Sequence, residues 1–416
     1  MKKLAVGLVL LCLLATGVAA AAEKIKVGAI YPLTGPIAST GLRCKYAVEV
    51  ALKIVNEAHP ELAGIPLAES EGLPNLGGAK IEVVFADSQA KPDVGKAEAE
   101  RLITQEKVIA LLGAYQSAVT KPASFVAERY GIPYVCGASS SAALTERGLK
   151  YFFRIAPTDA TDSVGFLKFL KWLSSKTGKP IKRIGIVYEN TEFGKHAASE
   201  AAKAAKELGF EIVADVPYTF GSTNLNAEVQ KLKAANPDAI LVASLIGDFT
   251  LFVKTCKQLD YAPPISLSYC GGFQDPNFVK NVGKDADYWC GSQSFALDLL
   301  PKMPLLAKVN EMFKAMAGAD YDGPTLEITH AALVLAQAIN LAGSTDGDKI
   351  RDVLAKTEFP MPLAIAGKVK FDSNGQNVYA ETVIQQIQDG KYVTVYPEDL
   401  ASAKLVYPMP AWSERK

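Results

Sequence analysis

Apolar residues alternate and then cluster over 24–33 (Ile25, Val27, Ala29, Ile30, Leu33), the pattern of a strand running into the turn Pro32-Leu33-Thr34-Gly35-Pro36. They next recur at Ala47, Val50, Ala51, Ile54, Val55 and Ala58, which share one helical face. A Gly- and Pro-rich stretch, 61–78, separates this helix from a strand over 80–86. The two periods keep alternating: helix 94–105, strand 108–112, helix 122–130, strand 133–136. After Arg154-Ile155-Ala156-Pro157-Thr158-Asp159 a second series runs through helix 164–175, strand 183–188, helix 194–208, strand 211–216, helix 225–235, strand 239–244, helix 249–259 and strand 265–269. Strands regularly separated by helices imply parallel sheets covered on both faces, and two such blocks imply two doubly wound α/β lobes.

Beyond Phe295 the pattern changes to helices 305–317, 326–342 and 348–354, which have no strands of their own. Such helices must pack on a sheet already built, so the chain crosses between the lobes more than once. A strand-like 368–371, the turn Asp372-Ser373-Asn374-Gly375, and segments 380–386 and 392–396 across Asp389-Gly390 predict a hairpin-like end. The expected division places 23–157 and 297–357 in lobe I, and 158–296 and 358–416 in lobe II.

The first 22 residues have another character. Lys2 and Lys3, the apolar stretch Leu4 to Val18 and the small residues Ala20-Ala21-Ala22 predict a secretory signal cleaved to leave Glu23 first. Cys12 lies inside the apolar run, which argues against lipidation there. Every apolar run after Glu23 is strand-length and flanked by polar residues, so no later membrane span is expected. The mature chain would be periplasmic. Losing Lys2 and Lys3 from 44 basic residues leaves 42 against 44 acidic ones, a balance that gives no electrostatic reason to bind nucleic acid or an acidic membrane. Five cysteines remain, without a C-x-x-C pair. Cys270 and Cys290 each end a strand-like run (265–269 and 286–289) and are candidates for a disulfide; the alternative is that all five are small buried apolar residues.

Catalytic signatures are missing. His59, His196 and His330 are the three histidines, and none has a histidine or cysteine at ligand spacing, so no metal or cofactor is expected. No G-x-S-x-G elbow, P-loop or dinucleotide-binding fingerprint occurs. The strand ends instead carry hydroxyls and small residues. In open α/β sheets ligands bind at the carboxyl ends of strands. Strand 108–112 exits into Gly113-Ala114-Tyr115-Gln116-Ser117 ahead of a helix beginning near Thr120, and strand 133–136 exits into Gly137-Ala138-Ser139-Ser140-Ser141. Either Ser117 or Thr120 simply caps its helix, or Ser117 and the serine cluster together clamp a carboxylate at a positive helix end. Tyr188 to Gly194 puts Phe193 at the mouth of the second lobe, as a cover for the ligand's apolar part or as a ring packed on its own loop.

The runs Val27 to Pro36, Leu112-Gly113 through Ser117 with Pro122-Ala123, Gly131-Ile132-Pro133 with Ser139-Ser140, and Glu192-Phe193-Gly194 resemble the branched-chain amino-acid-binding proteins of ABC transporters. The resemblance covers nearly the whole mature chain. It implies a type I periplasmic binding fold, two Rossmann-like lobes joined by a three-strand hinge, in a monomer that hands a small molecule to an ABC permease in the inner membrane. It further implies that Ser117, Ala138 and Ser140 hold the ligand's carboxylate and amino groups, that Phe193 closes over it, and that Thr40 stands where close relatives carry tyrosine. One departure concerns the ammonium. Such binders place an acid after the strand that here ends at Tyr269, where this chain has Cys270-Gly271-Gly272. Glu327 or Asp275 would have to substitute, or the ligand lacks an ammonium. A sensor passing the same closure to a signalling partner is the alternative to transport.

Overall fold

The computed structural model describes residues 24–415, so the signal reading of 1–22 lies outside the described residues. The first block forms β1 (Lys24–Tyr31), α1 (Ala38–Asn56), β2 (Lys80–Asp87), α2 (Pro92–Thr104), β3 (Leu111–Gly113), α3 (Ser117–Tyr130), β4 (Tyr134–Cys136) and β5 (Phe152–Arg154). These strands make a five-stranded sheet of order β2-β1-β3-β4-β5, with every pairing parallel. Such strands are buried on both faces, which is why β3, β4 and β5 bury all three of their residues.

The second block gives α4 (Asp159–Thr177), β6 (Arg183–Glu189), α5 (Glu192–Leu208), β7 (Glu211–Tyr218), α6 (Asn226–Ala235), β8 (Ala239–Ala243), α7 (Ile246–Gln258), β9 (Ser266–Ser268), α8 (Asn277–Val282) and β10 (Cys290–Gln293). The tail adds α9 (Pro304–Ala317), α10 (Gly323–Ala342), α11 (Gly347–Lys356), β11 (Glu358–Pro360), β12 (Lys368–Lys370), β13 (Val383–Gln388) and β14 (Lys391–Tyr396). The second sheet has order β14-β13-β10-β9-β8-β6-β7; β13 and β14 join it antiparallel. α9 and α10 pack against α1, and α10 also meets β3 and β4, so the chain returns to the first sheet after β10 and leaves it again before β13. Those two crossings and the one after β5 form the three-strand hinge between two doubly wound lobes.

Several expectations change. The strand expected over 286–289 is a turn in which Trp289 drives a fully buried ring edge-on against Phe249 and Phe252; pairing starts at Cys290. Segment 368–371 pairs with β11 instead of belonging to the terminal hairpin. Its turn folds back on the first lobe: Arg154 N–H donates to the Gly375 carbonyl (2.8 Å), and Phe371 packs on Phe153. The segment around 358–378 therefore packs with lobe I, past the division expected at 357. α10 is long and apolar enough to cross a membrane by length and composition, contrary to the reading from run lengths, but protein covers it from Gly323 to Ile339.

All five cysteines of the described residues are free thiols, so the Cys270–Cys290 disulfide is absent. Cys290 lies inside β10, with its Sγ turned to the Tyr288 carbonyl. The expected result is that unfolding the mature protein without reductant releases five reactive thiols, counted with a thiol reagent; three would restore the disulfide.

Candidate functional site

Each sheet has a switch point where the chain steps across its first strand: β1 lies between β2 and β3, and β6 between β7 and β8. Loops leaving neighbouring strands diverge there and open a crevice. The two crevices face each other across a cavity of about 360 Å³.

From the first lobe, the β3 exit supplies Tyr115, Gln116 and Ser117, and the β4 exit supplies Ala138 and Ser140. α3 starts at Ser117, three residues earlier than expected, because the Gln116 carbonyl accepts the N–H groups of Val119 and Thr120. Ser117 is thus the first helical residue, and the N–H groups of Ser117 and Ala118 precede the first of these bonds and have no helical acceptor. Its Oγ accepts the Ser141 N–H at 3.3 Å, which leaves its own proton to donate. Gln116 Oε1 is buried without a partner.

Ser139 does not line the cavity. Its hydroxyl faces the Ala114 and Tyr115 carbonyls (3.0 and 3.1 Å) and Thr120 Oγ1 (2.7 Å), bracing the β3 exit from behind. Adjacent serines point to opposite sides of an extended chain, so only Ser140 faces inward. Arg154, unnoticed in the sequence, holds this loop. Fully buried, it donates to the carbonyls of Ser139 and Ser141, to Thr145 Oγ1 (2.9 Å) and to Gln376 Oε1 (2.7 Å) on the third crossing.

The second lobe contributes Glu189 and Thr191 from the β6 exit, Phe193 from the first turn of α5, Leu245 from the β8 exit, and Cys270 and Gly271 beyond β9; Pro324 of α10 closes the hinge side. Phe193 is held inward because Gly194 lets the helix approach the strand: a Cβ there would lie 1.9 Å from the Glu189 carbonyl oxygen. The Glu189 carboxylate accepts from Thr191 N (2.9 Å) and Thr191 Oγ1 (2.6 Å), and burial raises its pKa against those bonds. Burial also raises the Cys270 thiol. Leu245, Cys270 and Glu189 sit at strand exits, the one signal that could have singled them out.

Three expected residues lie elsewhere. Thr40, in the first turn of α1, donates to Asp275 Oδ2 across the lobes (2.7 Å). Asp275 also accepts the Asn277 N–H (2.9 Å) and lies outside the cavity lining. Glu327 faces a separate cavity behind the hinge, where burial raises its pKa and a hydrogen bond with Ser294 opposes the shift. At the rim, Lys121 Nζ of α3 meets both carboxylate oxygens of Glu192 on α5 at 2.9 Å. With Thr40–Asp275, this pair ties the lobes together across the cleft, which is closed.

The serine loop has a second tie. Asp159 Oδ1 accepts the Ala142 N–H (3.1 Å) and faces His196 Nδ1 of α5 (3.0 Å). The bond with Asp159, partly opposed by burial, raises the His196 pKa above 6.5. A raised folded-state value stabilises the fold fully below the unfolded pKa, about 6.5. That contribution fades as the pH climbs through the raised value. In thermal melts, wild type should exceed His196→Gln most in mild acid, with the gap narrowing in alkali; a gap that grows with pH would reverse the assignment.

This architecture has relatives. The family model described as periplasmic binding protein matches residues 24–391. The Leu/Ile/Val-binding protein homolog 8 of Brucella melitensis is 32% identical over 402 residues, covering 93% of this chain and 94% of that protein. Among solved structures, a leucine-binding protein from Thermotoga maritima superposes with a TM-score of 0.75 at 22% identity, covering 89% of this chain and 97% of its own. An ABC-transporter solute-binding protein from Rhodopseudomonas palustris, in complex with 3,4-dihydroxybenzoic acid, gives 0.75 at 21% identity over 94% and 99%. Two doubly wound lobes, a three-strand hinge and a family match spanning both lead to one conclusion: this chain belongs to the periplasmic binding protein family.

Proposed function

We propose that this protein is the solute-binding component of an ABC importer and captures a small carboxylate-bearing molecule between its lobes. One observation carries the reading: Ser117, Ser140 and the open first turn of α3 face the same closed cavity that Phe193 and Leu245 cover from the other lobe. Hydroxyls and free N–H groups at a positive helix end suit a carboxylate, and the apolar wall suits the rest of a small solute. The lining supports binding without turnover. It contains no histidine, its thiol is held protonated by burial, and its one carboxylate is bonded to Thr191.

A ligand without an ammonium is favoured by one feature. Asp275 and Glu327 both lie outside the cavity, and both oxygens of its one carboxylate, Glu189, already accept from Thr191, so an ammonium would have to share that partner. Burying an unpaired charge is costly. The leucine-binding and dihydroxybenzoate-binding relatives bracket the two alternatives. A thermal-shift panel of the mature protein with leucine, isoleucine, 4-methylpentanoate, 3,4-dihydroxybenzoate and their amides tests both. A ligand at a hundredfold over its Kd adds about 2.7 kcal/mol to stability. Stabilisation by the acids lacking an amino group is the expected result, and no shift with any compound would overturn the transport reading.

The family acts outside the cytoplasm. The matching export device is residues 1–22, so intact-mass analysis of protein from the periplasm should find Glu23 at the N-terminus; retention of Met1 would contradict cleavage. The partner is an inner-membrane permease that reads the closed form of a monomer.

A further inference from the structure

Behind the hinge lies a second cavity of about 470 Å³ that shares no lining residue with the first. All three crossings border it: Ile155 from the first, Ser294 from the second, Val369 from the third. Its floor is the first half of α10, where Glu327 and His330 stand three residues apart on one face. His330 is 5% exposed and its Nε2 is buried with no hydrogen-bond partner, although buried nitrogens are nearly always bonded. Burial pushes the imidazole pKa down to about 3, against a backbone hydrogen bond at Leu363, so the ring is neutral and one nitrogen is a bare acceptor. Burial raises the Glu327 pKa against a hydrogen bond with Ser294, which favours the protonated carboxyl, a donor. An acceptor and a carboxyl one helical turn apart thus border a chamber whose lining mixes apolar residues such as Leu326, Ala364 and Ile365 with polar ones such as Asn377, Tyr379 and Lys368.

We propose that the hinge cavity is a second binding site, for a small neutral solute whose polar group both donates and accepts a hydrogen bond, as a primary amide does. The amide N–H meets His330 Nε2, its carbonyl meets the Glu327 carboxyl, and a short alkyl group fills the space beside Ile155 and Val369. The three crossings and α10 border the cavity together, so an occupant that meets them differently in the open and closed states biases closure. This site stands whatever ligand occupies the cleft.

Isobutyramide is a suitable probe. With nitrogen-15 histidine in the mature protein, titration should shift the His330 Nε2 resonance saturably and leave His59 and His196 unmoved. Ile365→Trp, at the half-exposed mouth of the cavity, closes the entrance without touching the floor and should abolish the shift. A crystal soaked in isobutyramide should show it against His330. Absence of a saturable shift, an equal shift in all three histidines, or a shift that persists in Ile365→Trp would overturn the proposal.

Discussion

Replacing Ser117 or Ser140 with alanine should weaken binding of the cleft ligand by about one to two orders of magnitude, the ~1.5–3 kcal/mol of a hydrogen bond to a charged group. The double replacement should remove measurable binding. The fold should survive, because neither hydroxyl carries the packing. Ser117 Oγ accepts one long bond of 3.3 Å from Ser141 N–H, and the Ser140 hydroxyl lies beside the Cys270 thiol. Ser139→Ala is the informative control. Its hydroxyl braces the β3 exit through three contacts and never reaches the cavity, so it should cost stability more than affinity. Calorimetric titration with whichever acid stabilises the protein gives both numbers. Unchanged affinity in Ser117→Ala and Ser140→Ala would move the site elsewhere.

Arg154→Met should have the largest effect on stability, about 3–5 kcal/mol, because several buried acceptors lose their donor at once. The methionine fills most of the space but leaves the carbonyls of Ser139 and Ser141, the Thr145 hydroxyl and the Gln376 amide oxygen without their donor. Each buried acceptor left unsatisfied costs about 1–3 kcal/mol. The loop that carries Ala138 and Ser140 would then lose its anchor, so affinity should fall along with stability. Urea denaturation measures the first and titration of the surviving folded protein the second. A loss below about 1 kcal/mol would mean that the loop holds itself.

The alternation of strands and helices was legible because parallel strands buried on both faces write continuous apolar runs: β8 buries all five residues from Ala239 to Ala243. The strand-exit rule then found Tyr115, Gln116, Ser117, Ala138, Ser140 and Phe193, all of which line the cavity. What escaped depended on partners distant in sequence. Arg154 follows two phenylalanines and offers no local sign of its role, since its four acceptors come from Ser139, Ser141, Thr145 and Gln376. Ser139 and Ser140 are equivalent in composition; only the direction of the chain separates the brace from the residue that lines the cavity. Glu189 and Leu245 required knowing that β6 and β8 are neighbours at the switch point. Glu327 was drawn toward the cleft by its place near the start of α10, but α10 turns Pro324 to the cleft and Glu327 to the chamber behind the hinge.

In the proposed reading, the same arrangement makes closure and capture one event. The Lys121–Glu192 pair at the rim and the buried Thr40–Asp275 bond form only when the lobes meet. A ligand held by both lobes stabilises that meeting, and the rim pair, being half exposed, adds little alone.

Native mass spectrometry of the mature protein as purified, beside its Ser117→Ala/Ser140→Ala form, tests the central claim most directly. The account predicts a non-covalent mass excess matching one small carboxylic acid on the wild type and its disappearance from the double variant. The same solute retained undiminished by the double variant would contradict it.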